Sequence, residues 1–92
     1  MTSDKQDCCR RILRIAADRW LNPAGWTFKA IFEDGVLNYV LIASAFRGDH
    51  KIEQRVVFRM RLVEDAGEQL TMENMVSRAS AEAEDKLQRC PQ

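Results

Sequence analysis

Positive charge recurs along one stretch of this chain at a spacing that could grip anions. Between Lys51 and Leu62 the odd positions read Lys51, Glu53, Arg55, Val57, Arg59 and Arg61, and the even positions include Ile52, Val56, Phe58, Met60 and Leu62. A β-strand sends successive side chains to opposite faces, so this alternation predicts one buried and one solvated face. Two residues of strand advance about 6–7 Å, close to the spacing of successive phosphates in an extended nucleic-acid strand. Guanidinium groups make charge-assisted, often bidentate bonds to phosphate and carboxylate. The chemistry indicated is recognition of an anion: an acidic protein or a nucleic-acid backbone. Catalysis finds fewer candidates. His50 is the single histidine, in a turn segment beside Asp49. Cys8 and Cys9 are adjacent, lack the spacing and second pair of a zinc site, and Cys90 is far away in sequence. The four glycines are scattered, so no glycine-rich phosphate loop is expected. No enzyme activity, metal or cofactor is expected.

Ninety-two residues, with 46% hydrophobic and 30% charged, describe one domain (1–92) with a single modest core. Fourteen basic residues balance fourteen acidic ones. No whole-molecule field therefore draws the chain to nucleic acid, and any electrostatic function must come from segregated charge. No apolar run approaches the length that spans a bilayer, and the first residues lack an apolar signal core. A cytosolic location is expected, and three cysteines, an odd number, imply no disulfide framework.

These residues need elements to position them. Asp4 to Leu21 reads as a helix, with Cys9, Ile12, Leu13, Ala16, Ala17 and Trp20 on one arc. Asp7–Arg11 and Arg14–Asp18 are candidate ion pairs on the other, and Ser3 or Asp4 is a candidate cap. Asn22-Pro23-Ala24-Gly25 ends it. Trp26 to Glu33 reads as a strand, and Asp34-Gly35 as a two-residue hairpin turn returning through Val36 to Phe46. Arg47-Gly48-Asp49-His50 is a second turn, leading into the cationic strand, which is expected to run to Val63. A tight first turn pairs Phe32 with Leu37 and Ala30 with Tyr39. A tight second turn pairs Ala45 with Ile52 and Tyr39 with Phe58. Both send the same face of the middle strand inward, leaving Gln54 as a buried polar misfit. After an acidic loop over 64–69, Thr71 could cap a final helix to about Gln88, buried through Met72, Met75, Val76, Ala79, Ala83 and Leu87. The expected fold is α+β: a helix, a three-stranded antiparallel meander and a helix, with both helices on one face of the sheet.

The open face should then carry an apolar stripe of Ile31, Val40, Ile42 and Val57 among Lys29, Arg55, Arg59 and Arg61, with Glu33 near Arg61. Arg47, His50 and Lys51 extend it at the hairpin. Arginines on strands also guard a sheet against edge pairing, but edge protection does not explain an apolar stripe between them. Glu73, Glu82, Glu84 and Asp85 form a candidate acidic face on the last helix, relieved by Arg78, Lys86 and Arg89. Its bland reading is a solvated surface, and its functional reading is contact with lysine-rich subunits of a nucleic-acid machine. The methionines Met60, Met72 and Met75 read as core filler.

The element order matches that of the double-stranded-RNA-binding domain, but the start of the last helix, Thr71-Met72-Glu73-Asn74-Met75, has no basic residue to grip phosphates. Across its full length the chain resembles small phage-encoded anti-CRISPR proteins directed at type I-F RNA-guided surveillance complexes. The resemblance is strongest at Arg19-Trp20-Leu21-Asn22-Pro23-Ala24-Gly25-Trp26-Thr27-Phe28-Lys29 and Lys51-Ile52-Glu53-Gln54-Arg55-Val56-Val57-Phe58-Arg59. It implies a non-enzymatic inhibitor acting in the host bacterial cytoplasm. Such an inhibitor binds a multi-subunit CRISPR–Cas ribonucleoprotein along its backbone subunits and guide RNA, and blocks hybridisation of target DNA. It takes no small-molecule substrate and no membrane as partner, and is expected to be a monomer when free. The alternative function class is an autonomous RNA- or DNA-binding module, which net neutrality disfavours. A third is a homodimer formed through the open sheet face.

Overall fold

The computed structural model describes residues 4–64 and 68–90. Its elements are α1 (Asp4–Arg19), β1 (Thr27–Glu33), β2 (Asn38–Arg47), β3 (His50–Arg59), α2 (Met60–Glu64) and α3 (Gln69–Arg89). The strands form one antiparallel sheet in the order β1-β2-β3, as the sequence pattern predicts.

The core forms where the alternating residues of the sheet meet the helical stripes. Tyr39, Leu41, Ala43 and Ala45 of β2 and Val56 and Phe58 of β3 are buried under Ile12, Ile15, Ala16 and Trp20 of α1 and Met72, Val76, Ala79 and Ala83 of α3. Both helices therefore lie on one face of the sheet, as expected. The buried arc of α1 is rotated slightly from its expected position: Ile15 is buried and Ala17 exposed. After α1, Trp26 N–H donates to the Pro23 carbonyl at 3.0 Å and Gly25 adopts φ 87°. That turn folds the chain back so that Trp20 meets both Trp26 and Phe28, each with ring centroids 5.2 Å apart.

The second hairpin has the expected two-residue turn, with Arg47 opposite His50 and Gly48 at φ 61°. The first differs. Phe32 pairs with Tyr39 and Glu33 with Asn38, so residues 34–37 form a four-residue loop and β1 is displaced by two residues from the expected register. A shift of two preserves which face each side chain occupies. It sets Phe32 against Tyr39 with centroids 4.8 Å apart, an aromatic pair worth about 0.5–1.5 kcal/mol beyond its burial. The cost falls on Leu37, which adopts φ 52° while Gly35 does not have positive φ.

The third strand also ends earlier than expected. Beyond Asn38 the loop offers β3 only one more bond, from Met60 N–H to the Leu37 carbonyl at 3.1 Å. Met60-Arg61-Leu62-Val63-Glu64, rich in good helix formers, then turns into α2. Val63 is buried there, and Arg61 stands on this helix, so Glu33 shares its row with Asn38 and Arg59 in place of the expected Arg61. The last helix begins at Gln69, two residues before the expected Thr71 cap, and its N-cap Glu68 makes no side-chain capping bond. Ser3 and Asp65 to Gly67 lie outside the described residues.

Leu37 is 53% exposed, so its side chain contributes little packing. Leu37→Gly should relieve a left-handed conformation that costs a non-glycine residue about 1–2 kcal/mol, less the extra backbone entropy of glycine. The expected net gain is about 0.5–1 kcal/mol in chemical denaturation at unchanged m-value. A loss of stability would show that Leu37 is held by packing rather than tolerated in the loop.

Candidate anion-binding face

The observed register defines the rows of the open face. They are Thr27–Ser44–Glu53, Lys29–Ile42–Arg55, Ile31–Val40–Val57 and Glu33–Asn38–Arg59. The two-residue displacement of β1 therefore collects the apolar residues into a compact centre. Ile31, Val40 and Val57 stand in one row and Ile42 in the next, with Lys29 and Arg55 at the ends of that next row. Val40 is only 1% exposed although no helix among the described residues covers this face, so its neighbours' side chains shield it. Val57 is 51% exposed and Phe46, farther along β2 on the same face, is 68% exposed.

Lys29, Arg55 and Arg59 are exposed and have no carboxylate within ion-pair distance among the described residues. Lys51 is closer to compensation, with Nζ 3.8 Å from Glu53. Arg61, expected in line with Arg55 and Arg59, stands instead on α2. It shares with Arg59 a cleft of about 400 Å³ lined by Val36, Leu37 and Asn38. Two arginines thus converge at one corner of the face. Arg47 leaves the set altogether: its Nη1 donates to the Leu87 carbonyl at 2.7 Å, satisfying a terminal acceptor of α3. His50 is exposed at the hairpin.

The acidic residues of α3 do not form one face. Glu73 and Glu84 are eleven residues apart, about three helical turns, and so share a side, while Glu82 lies about half a turn round. Glu73 is engaged by Arg19 of α1. Glu82 accepts from Gln54 Nε2 at 3.3 Å, and Asp85 pairs with Arg89 at 3.2 Å. Glu84 is half-buried. Gln54, the misfit of the sequence pattern, is satisfied by that contact and by Lys86 Nζ, which donates to its Oε1 at 2.6 Å. On α1, Asp7 approaches Arg10 at 3.6 Å rather than Arg11, whose Nη2 instead lies 3.8 Å from Met72 Sδ. Arg14 and Asp18, the other expected pair, are exposed and unpaired among the described residues.

One polar cluster has no counterpart in the sequence reading. The fully buried Tyr39 donates its hydroxyl to Glu64 Oε2 at 2.8 Å, and Lys5 Nζ donates to the same oxygen at 2.8 Å. Lys5 also stands 4.3 Å from the centroid of the Phe32 ring. The cluster ties α1 to α2 through the start of β2 and so fixes where Arg61 stands. The hydrogen bond from Lys5, followed by that from Tyr39, holds the Glu64 carboxyl below the usual range, and the Glu64 bond raises Lys5. Burial, followed by hydrogen bonding to Glu64, pushes the Tyr39 hydroxyl far up. Burial also raises the Cys9 thiol, which disfavours its reactive thiolate. Among the described residues no group of three His, Cys, Asp or Glu side chains converges to hold a metal, and no helix is long and apolar enough to cross a membrane.

Comparison with family models, known proteins and solved structures returns no match for this chain. The arrangement of its own side chains therefore carries the assignment of a binding face.

A depressed Glu64 stabilises the fold fully above its ordinary value of about 4.3 and ceases to do so as pH falls through its lower folded value. A raised Lys5 contributes fully below the ordinary lysine value and is lost as pH rises beyond it. Glu64→Gln should therefore flatten both limbs of the stability-against-pH profile relative to wild type. Parallel profiles in thermal unfolding from pH 2 to pH 11 would show that the cluster does not couple to folding.

Proposed function

We propose that this protein is a non-enzymatic inhibitor that binds a type I-F RNA-guided surveillance complex through its open sheet face and blocks hybridisation of target DNA. The supporting observation is the face itself: an apolar centre around Val40, flanked by Lys29, Arg55 and Arg59, which have no ion-pair partner among the described residues. Such a surface suits a composite target in which phosphates lie beside protein. Arginines meet the phosphates, and Ile31, Ile42 and Val57 bury area at about 25 cal/mol per Å², less the cost of association. The resemblance of residues 19–29 and 51–59 to anti-CRISPR proteins names the target class. Chain neutrality favours a ribonucleoprotein over free nucleic acid, because autonomous binders ordinarily present a basic domain. The carboxylates of α3 have no part in this reading, since three of the four already serve contacts within the molecule.

The double substitution Arg55→Ala, Arg59→Ala should leave the fold intact, because both side chains are exposed. Each phosphate contact to single-stranded nucleic acid adds a slope of about −0.7 in log K against log salt. Losing two should weaken binding to the assembled complex at least tenfold and flatten the salt slope by about 1.4. Titrations at two salt concentrations, against the complex and against naked guide RNA, read both quantities. Full binding by the folded double variant would refute the face assignment. Equal wild-type affinity for naked RNA and complex would leave an autonomous nucleic-acid-binding module.

A further inference from the structure

β3 is an edge strand with its own unsatisfied ladder. In a two-residue hairpin the pair flanking the turn exchanges both backbone hydrogen bonds, and every second pair thereafter does the same. Arg47 opposite His50 sets that phase, and the Met60 N–H to Leu37 carbonyl bond at 3.1 Å keeps it at the other end. The even residues of β3 therefore bond to β2. Glu53, Arg55 and Val57 turn their N–H and C=O groups outward, to the open edge.

A groove of about 460 Å³ runs along this edge, between residues 54–57 of β3 and residues 71–82 of α3. Twelve residues of helix extend about 18 Å, the length of about five residues of strand. Half-buried Met75 and buried Ala79 form an apolar wall on the helix side. Arg55 and Arg78 flank the groove, both exposed and both without an ion-pair partner among the described residues. The one acid lining it, Glu82, already accepts from Gln54.

We propose that this groove takes an extended acidic segment of a partner protein as a fourth strand. Its backbone would complete the ladder of Arg55 and Val57. Alternate side chains would fall towards Met75 and Ala79, where small apolar residues fit, and towards the open face, where carboxylates meet Arg55; Arg78, on the α3 side, adds positive potential across the groove without touching those carboxylates. Charge selects this occupant over the others. A second copy of β3 would bring Lys51, Arg55 and Arg59 against the same three cations, with one Glu53 on each strand to offset them. A nucleic acid would satisfy the arginines but leave the strand's N–H and C=O groups without a ladder. The groove lies on the α3 side of β3; Arg55 and Val57 belong to it and to the open sheet face alike, whereas Arg78 belongs to the groove alone, so substitution of Arg78 separates this site from that face.

The test is a titration of the full chain, labelled with ¹⁵N, with a ten-residue peptide of alternating glutamate and valine and with its lysine-for-glutamate counterpart. The expected result is a shift of the Arg55 and Val57 amides by the glutamate peptide and no binding of the lysine peptide. Arg78→Glu should weaken binding at least tenfold. Val57→Pro, which removes an outward N–H at an edge position where proline is tolerated, should do the same, whereas Val57→Ala, which keeps the N–H, should change affinity less than twofold. If Val57→Pro fails to fold, Arg78→Glu on the exposed helix surface decides alone. Absence of binding, equal binding of the lysine peptide, or unchanged affinity in Arg78→Glu would overturn the proposal. Self-association abolished by Arg78→Glu would assign the groove to a second copy, and tighter binding of a single-stranded oligonucleotide at the same amides would assign it to nucleic acid. Either would also overturn it.

Discussion

Both long helices pack on the same face of the three-stranded sheet, and the rest of this structure depends on that one-sided cover. Tyr39, Leu41, Val56 and Phe58 are sealed beneath α1 and α3, while on the opposite side of the same strands the described residues form no second layer. The alternation of β2 must therefore serve two environments at once. Its odd residues build the core, and its even residues Val40 and Ile42 must be kept from water by other means. Here the means is lateral: Ile31 and Val57 lie beside Val40 in one row, and the long side chains of the adjoining rows surround it. An apolar centre hedged by cations is what that arrangement leaves for a partner.

Most of the scaffold was legible because its information is periodic. The arc of α1, the alternation of β2 and β3 and the tight Gly48-Asp49 turn each repeat or carry a turn-forming glycine, and the β2–β3 register follows from them residue for residue. The β1–β2 loop was misread because Asp34-Gly35 is the commonest short hairpin signal, and nothing local marks Leu37 as the residue that takes positive φ. The decisive terms were distant: the Phe32–Tyr39 ring contact and the bond from Met60 to Leu37. The end of β3 was misread for a related reason. Alternation continues through Met60 and Leu62, but pairing cannot continue past the last residues that β2 offers, and helix propensity then prevails.

The candidate site was legible in part. Lys29, Ile42, Arg55, Val57 and Arg59 share the open face as the pattern predicts, because face assignment survives a shift of two residues. Arg47, Arg61 and the carboxylates of α3 were assigned by charge alone, and charge does not tell whether a long side chain reaches solvent or a helix terminus. Arg47 is taken by the Leu87 carbonyl, Glu73 by Arg19 and Glu82 by Gln54. The Lys5–Glu64–Tyr39 cluster joins residues 59 positions apart at its widest, and no spacing rule on a single element could have found it.

The five isoleucines divide cleanly between the two sides of the sheet. Ile31 and Ile42 lie on the open face, and Ile12, Ile15 and Ile52 on the core side. Cross-saturation from the unlabelled surveillance complex to isoleucine methyls of the labelled, deuterated protein tests the binding face directly. The account predicts transfer to Ile31 and Ile42 and none to Ile12, Ile15 and Ile52. A stable complex in which neither Ile31 nor Ile42 receives saturation would contradict it.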